Sequence, residues 1–266
     1  MRVSLIQMDV AKGSLTQNEE KAKAMLSASL AEHPDVVCLP ELWNTGYDLE
    51  HLEKIAQKEK DSSLGLLKRF AKKHKIYIIG GSIAENHDGK YCYMMPLITP
   101  KGSIELKYRK THLFPLGLAE DKFFYPGDQW GIGEINEIPV GMMLCYDLRF
   151  PAFCRNMVLR GAKVVFVSAQ WPKARLEHWR ILLSARAIEN QIFIVAVNRV
   201  GEDESGIYMG HSMVIDPFGK LLAVGNETEA ILSAELDMAK VEEARTMIPA
   251  LSQRLNILDE IDNNFL

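Results

Sequence analysis

The chain has 266 residues, 47% hydrophobic and 25% charged, a composition that builds one large globular core. Its formal charge of -4 argues against the basic face that nucleic acid or an anionic membrane selects, and leaves a small molecule as the expected partner. No apolar run approaches the roughly 20 residues that span a bilayer, and Met1 to Ile6 lack the apolar core of a signal peptide, so the expected location is the cytoplasm. Val3 to Met8 reads as a strand, and Thr16-Gln17-Asn18-Glu19 has the form of a capping box opening a helix with Ala22, Met25, Leu26 and Leu30 on one face. Asp35 to Pro40 is a short continuous apolar run, the pattern of a strand covered on both faces, and it delivers Glu41 at its carboxyl end. Leu64, Leu67, Phe70 and Ala71 mark a second amphipathic helix, followed by a strand over Ile76 to Ile79 that ends in Gly80-Gly81.

Pro100-Lys101-Gly102 separates two further strand-like runs, the second of which, Ile104 to Arg109, delivers Lys110. Thr111 to Gly127 is too long for a plain connection and reads as a substrate-binding loop, with Glu120 as its notable residue. The apolar run Val140 to Leu144 then ends in Cys145, and Pro151 can start a helix. A strand-to-helix turn lifts a side chain from the sheet edge and aims backbone N–H groups at whatever that side chain attacks. Taken alone, a strand-end cysteine reads as packing.

A helix over Pro151 to Arg160, a strand at Val164 to Val167, a helix from about Arg175 to Gln191 and a strand over Ile192 to Val197 continue the alternation. Asp216-Pro217-Phe218-Gly219 is a turn joining Met213-Val214-Ile215 to Leu221-Leu222-Ala223, and Ile231 to Leu236 is a last strand before a charged, loosely helical tail from Met238. With no repeat, low-complexity segment or linker, residues 1–266 are expected to form one α/β domain. Cys38, Cys92, Cys145 and Cys154 include no CxxC pair or zinc spacing, so free thiols and no structural metal are expected.

Glu41, Lys110 and Cys145 thus each follow a strand, and in an open α/β sheet such ends face the ligand crevice. A lysine ammonium favours a thiolate and a carboxylate can take its proton. Leu39-Pro40-Glu41-Leu42-Trp43, Tyr108-Arg109-Lys110-Thr111-His112-Leu113-Phe114 and Cys145-Tyr146-Asp147-Leu148-Arg149-Phe150-Pro151 resemble the three signature blocks of the nitrilase superfamily of carbon-nitrogen hydrolases. Phe124 to Asp128, Ala169 to Pro172, Arg186 to Gln191 and Gly210-His211-Ser212 extend the resemblance over nearly the whole chain.

The resemblance implies a four-layer α-β-β-α sandwich, a homodimer, and a centre that needs no cofactor. It implies Glu41 as the base that activates Cys145, Lys110 and the Tyr146 N–H as oxyanion donors, and Glu120 as a second glutamate that positions substrate or water. Two blocks depart from the pattern: Ala152 stands where many relatives have Glu, and Cys92-Tyr93-Met94-Met95 replaces an Asn-Thr pair, neither expected to touch the triad. Cys38 is expected inside a strand and Cys154 packed in the helix after Cys145.

The runs Pro40 to Tyr47 and Trp171 to Arg175 are most similar to the ω-amidase branch, which cleaves the terminal amide of dicarboxylic monoamides such as 2-oxoglutaramate. Tyr47, Tyr146, Trp171 and Arg175 are the expected substrate contacts, Arg175 because a planar cation suits a carboxylate, although a surface arginine reads as well. Arg149 and Arg186 are expected as structural ion-pair partners, Glu189 being one candidate mate. An N-carbamoyl amine or amino-acid hydrolase remains open, as do, less favoured, a nitrilase and a catalytically idle binding member.

Overall fold

The computed structural model describes residues 1–56 and 62–255. In the first half of the chain β1 (Arg2–Gln7), α1 (Leu15–Ser29), β2 (Val36–Cys38), the single turn α2 (Leu52–Ile55), α3 (Ser62–His74) and β3 (Tyr77–Ile79) alternate, and β4 (Ile83–His87), β5 (Lys90–Ile98) and β6 (Ile104–Arg109) follow. In the second half β7 (Ile132–Ile135), β8 (Ile138–Leu144), α4 (Pro151–Leu159), β9 (Val164–Ala169), α5 (Leu176–Asn190) and β10 (Phe193–Asn198) come first. The hairpin β11 (Val200–Asp203) and β12 (Gly206–Met209), then β13 (Met213–Ile215), β14 (Leu221–Val224), β15 (Ala230–Glu235) and α6 (Ala239–Met247) complete it. Within the expected charged tail, residues 256–266 lie outside the described residues.

Among the described residues, the strands make two large sheets, of seven and six strands, and β11 and β12 pair as a separate hairpin. The first has the order β15-β1-β2-β3-β5-β4 with β6 on β5, and the second β14-β13-β10-β9-β8-β7. β1, β2 and β3 are parallel in one, β8, β9 and β10 in the other. Antiparallel pairing of β5 with both β3 and β6 sets β6 in the direction of β3. Alternation along the strands decides which face is buried where. Val3, Leu5, Val36 and Cys38 join the core shared with the second sheet, whereas Ile6, Met8, Val37 and Leu39 pack with Ala22 and Leu26 of α1 and Leu64 and Leu67 of α3. Leu183 and Ala187 of α5 and Met157 of α4 close the other side, giving the four-layer α-β-β-α sandwich. At about 1.5 to 3 kcal/mol for each large apolar side chain, this burial rather than helix propensity holds the layers.

The expected capping box does not form. α1 starts at Leu15 behind Ser14, so Thr16 lies inside the first turn, and no side chain caps the helix. Asn18 is instead drawn inward, where its amide bonds the Ala11 and Asn44 carbonyls and accepts from the Ala11 N–H. The short strands β4, β7, β11 and β12 were not expected from apolar pattern. β4 meets β5 at Asp88 and Gly89, both left-handed, a tight hairpin turn.

Candidate active site

Three strand ends from the two sheets converge. Lys110 directly follows β6 and Cys145 directly follows β8, while Glu41 stands three residues past β2. The sheets are tied there by Ser168 Oγ of β9, which donates to the Leu39 carbonyl at 2.8 Å. Gly81 has φ +59°, and any Cβ there would collide with the Pro40 carbonyl oxygen, so only glycine lets the turn after β3 lie against the Glu41 segment.

Lys110 Nζ, fully buried, sits between two carboxylates, 2.8 Å from Glu41 Oε1 and 2.8 and 3.1 Å from the oxygens of Glu120. Burial opposes its charge, but Glu120 and Glu41 outweigh that and hold the ammonium above its ordinary range. Glu41 Oε2 accepts from the Tyr47 hydroxyl at 2.9 Å and from the Gln170 N–H at 3.1 Å. Burial, reinforced by Glu41, pushes the Tyr47 hydroxyl up, so it stays a donor. Glu120 and Phe114 exchange a pair of bonds, Phe114 N–H to Oε2 and Glu120 N–H to the Phe114 carbonyl, each 2.9 Å. Burial, then Glu41, raises the Glu120 carboxyl against the pull of Lys110.

Cys145 adopts φ +42°, a left-handed conformation uncommon for a residue with a Cβ. Asp147 holds this turn: its carboxylate accepts from the Leu144 N–H at 2.9 Å, the Tyr108 hydroxyl at 2.6 Å and the His112 N–H at 3.0 Å. Tyr108 and His112 flank Lys110 in sequence, so one carboxylate fastens the lysine segment to the cysteine turn. Residues 145–149 form a short 3-10 helix. Its first amides have no intrahelical acceptor, which leaves the Tyr146 N–H available beside the thiol. Burial foremost, with Glu41 adding and Lys110 opposing, holds the Cys145 thiol well above its usual value. The resting thiol is therefore protonated, with Glu41 as the nearby carboxylate, so the arrangement can deliver a thiolate as that carboxylate takes the proton.

A cavity of about 740 Å³ opens over Cys145, within the usual range for small-molecule sites. Tyr47, Glu120, Tyr146, Trp171 and Arg175, all singled out from sequence, line it, while Glu41 and Lys110 are buried. Tyr47 meets Glu41 through its hydroxyl, and Trp171 donates its indole N–H to the Arg175 carbonyl at 2.8 Å.

Two expectations need correction. Arg186 does pair with Glu189, at 2.9 Å, and also donates to the Leu148 carbonyl. Arg149 does not form the expected ion pair: it lines the cavity, over the Trp171 ring at 4.7 Å, with its Nη1 and Nη2 each 3.4 Å from His178 Nδ1. Neither Arg149 nor Arg175 has a carboxylate partner among the described residues. Burial and the proximity of Arg175 both lower the Arg149 guanidinium below its ordinary value. The Cys92 to Met95 block also reaches the triad, because alternation on β5 turns Tyr93 inward. Its ring lies 4.5 Å from Lys110 Nζ and its carbonyl accepts the Lys110 N–H at 3.1 Å. Cys38 and Cys154 are buried as expected.

The carbon-nitrogen hydrolase family model matches residues 2–246. The chain is 40% identical over 247 residues to the 2-oxoglutaramate amidase of Bacillus subtilis, covering 93% of this chain and 95% of that protein. It is 31% identical over 261 residues to the omega-amidase NIT2 of Mus musculus, covering 95% and 94%. Among solved structures, XC1258 from Xanthomonas campestris, a CN-hydrolase superfamily protein with an arsenic adduct in its active site, aligns with a TM-score of 0.89. That alignment has 31% identity and covers 96% and 97% of the two chains.

Proposed function

Because the chain belongs to the carbon-nitrogen hydrolase family, we propose that it is a thiol amidohydrolase that cleaves the terminal amide of a small dicarboxylic acid monoamide, of the 2-oxoglutaramate type, to the acid and ammonia. The whole chain acts as one catalytic domain. Glu41 takes the Cys145 proton while Sγ forms a bond to the amide carbon, and the carbonyl oxygen becomes an oxyanion facing Lys110 Nζ and the Tyr146 N–H. Each such donor is worth about 2.7 to 4 kcal/mol at the transition state. On collapse the carbon-nitrogen bond breaks and the proton held by Glu41 passes to the leaving nitrogen, which departs as ammonia. Water, deprotonated by Glu41 and oriented by Glu120, then opens the thioester, and the proton returns to sulfur.

The observation that carries the substrate class is the pair of guanidiniums, Arg149 and Arg175, on the wall of the cavity that holds Cys145. Two mutually repelling cations without a carboxylate favour an anionic ligand, and a substrate carboxylate at the far end from the amide supplies it. The names of the relatives from Bacillus subtilis and Mus musculus support the same class. A bond between a charged pair is worth about 1.5 to 3 kcal/mol. Arg149→Met and Arg175→Met are therefore expected to raise KM for 2-oxoglutaramate by roughly tenfold or more, with little change toward a neutral amide. The check is ammonia release from 2-oxoglutaramate, succinamate, glutaramate, N-carbamoyl-β-alanine and a neutral amide. Equal losses on neutral and anionic amides would remove the carboxylate dock, and a panel led by the carbamoyl compound would replace the ω-amidase reading with a carbamoyl hydrolase.

A cytoplasmic homodimer completes the proposal. Ile181 and Ile188 of α5 and Met247 and Ile248 at the end of α6 are exposed by 54 to 63%. The two helices adjoin, since Gln191 Nε2 donates to the Ala244 and Ile248 carbonyls. Such a face is expected to be covered by its own copy. Light scattering should give twice the 30.0 kDa chain mass, and Ile181→Lys with Ile188→Lys should shift it toward the monomer. A wild-type monomer at micromolar concentration would contradict this.

A further inference from the structure

The carboxylate of Glu41 is held from below by a residue pair that no part of the proposed mechanism uses. Gln170, just past the end of β9, is buried and contacts Glu41 at both levels. Its N–H donates to Glu41 Oε2 at 3.1 Å, and its side-chain Nε2 donates to the Glu41 carbonyl at 2.7 Å. The remaining side-chain oxygen accepts from Arg199 Nη1 at 2.9 Å.

Arg199 has no exposed surface, so every bond it makes is protected from water. It donates to the Val10 carbonyl at 2.7 Å and to Asp203 Oδ2 at 2.6 Å, and its guanidinium lies 4.3 Å from the centre of the Tyr208 ring. Asp203 and Tyr208 belong to the β11–β12 hairpin. At the hairpin tip the other oxygen of Asp203 accepts from the Ser205 N–H and hydroxyl, and Ser205 lines the substrate cavity. A continuous chain of polar contacts thus runs from the cavity rim through Asp203, Arg199 and Gln170 to Glu41, part-buried at Asp203 and buried from Arg199 inward.

We propose that Gln170 and Arg199 are positioning residues for the base: they fix the Glu41 backbone and carboxylate against Cys145 and make that placement depend on the seating of the β11–β12 hairpin at the cavity rim. The inference rests on the reading of Glu41 as the base. A buried glutamine with both side-chain groups committed has one low-energy orientation, and misplacement of a proton acceptor by even a fraction of an ångström costs rate rather than affinity. A packing role alone would show in stability and leave the kinetic constants together.

The test is a cycle of Gln170→Met, Asp203→Asn and the double variant, assayed well below each unfolding midpoint, with Glu41→Gln alongside. Gln170→Met keeps the backbone N–H to Glu41 and the volume but loses both side-chain bonds. It is expected to lower kcat at least tenfold with KM within about twofold. Asp203→Asn is expected to lower kcat severalfold, and the double variant to be no worse than Gln170→Met, because the two act through one chain of contacts. Near wild-type kcat in Gln170→Met, or losses that multiply in the double variant, would overturn the inference. Should Gln170→Met fail to fold, Arg199→Lys replaces it, with the same kcat loss expected and unchanged kcat contradicting. Full activity in Glu41→Gln would instead remove the base assignment itself, which separates failure of that reading from failure of this one.

Discussion

Cys145→Ala is expected to lower the rate of ammonia release by roughly 10⁵- to 10⁶-fold, the scale at which loss of an acyl-transfer nucleophile is felt, while the fold persists. Only one sulfur atom is removed beside the cavity, and alanine keeps the Cβ that the left-handed backbone already tolerates. Asp147 keeps the turn, since its bonds to Leu144, Tyr108 and His112 do not involve the sulfur. Steady-state kinetics with 2-oxoglutaramate and a thermal melt measure both halves. Activity within tenfold of wild type would contradict the thioester route.

Lys110→Met is expected to cost both turnover and stability, and the two costs have separate origins. Loss of an oxyanion donor lowers kcat by roughly 10²- to 10³-fold. Loss of the ammonium also leaves Glu41 and Glu120 buried without the cation that lies 2.8 Å from each, which destabilises the fold by about 3 to 5 kcal/mol. Lys110→Arg retains the charge, so most of the stability should return. Its planar fork cannot occupy the place of a compact ammonium stacked 4.5 Å from the Tyr93 ring, so activity should not. Denaturant midpoints and kcat measured on both variants separate these. Arginine restoring near wild-type kcat/KM would mean that Lys110 serves structure alone, and Glu41→Gln, expected to lose roughly 10²- to 10⁴-fold, would then decide whether the triad reading survives.

The convergence of Glu41, Lys110 and Cys145 was legible in the sequence because each follows a short strand, and strand ends in α/β proteins face the ligand. That local rule placed Cys145, Lys110 and Glu41 at strand ends, but their roles, and that of Glu120 in its long loop, came from the resemblance of the surrounding motif blocks. The supporting residues were not legible, for a physical reason: their roles come from pairing across the chain. Gln170 meets Glu41 across 129 residues and Asp147 meets Tyr108 across 39, contacts that no local periodicity encodes. Arg149 was read as an ion-pair partner because it lies within the motif block of Cys145, whereas the 3-10 turn after Cys145 leaves it lining the cavity. Tyr93 could have been found, since alternation along β5 places it on the face opposite Cys92. The two sheets were legible through the family resemblance and not through periodicity, because the apolar runs of β2 and β9 look alike and only the register shows that they belong to separate layers.

The most direct measurement is stoichiometric alkylation. Cys145 lines the cavity, while Cys38, Cys92 and Cys154 are buried away from it. One equivalent of iodoacetamide should abolish activity with the label on Cys145 alone, and saturating 2-oxoglutaramate should slow both labelling and inactivation in parallel. Inactivation with the label on Cys38, Cys92 or Cys154, or full activity in protein labelled at Cys145, would contradict the account.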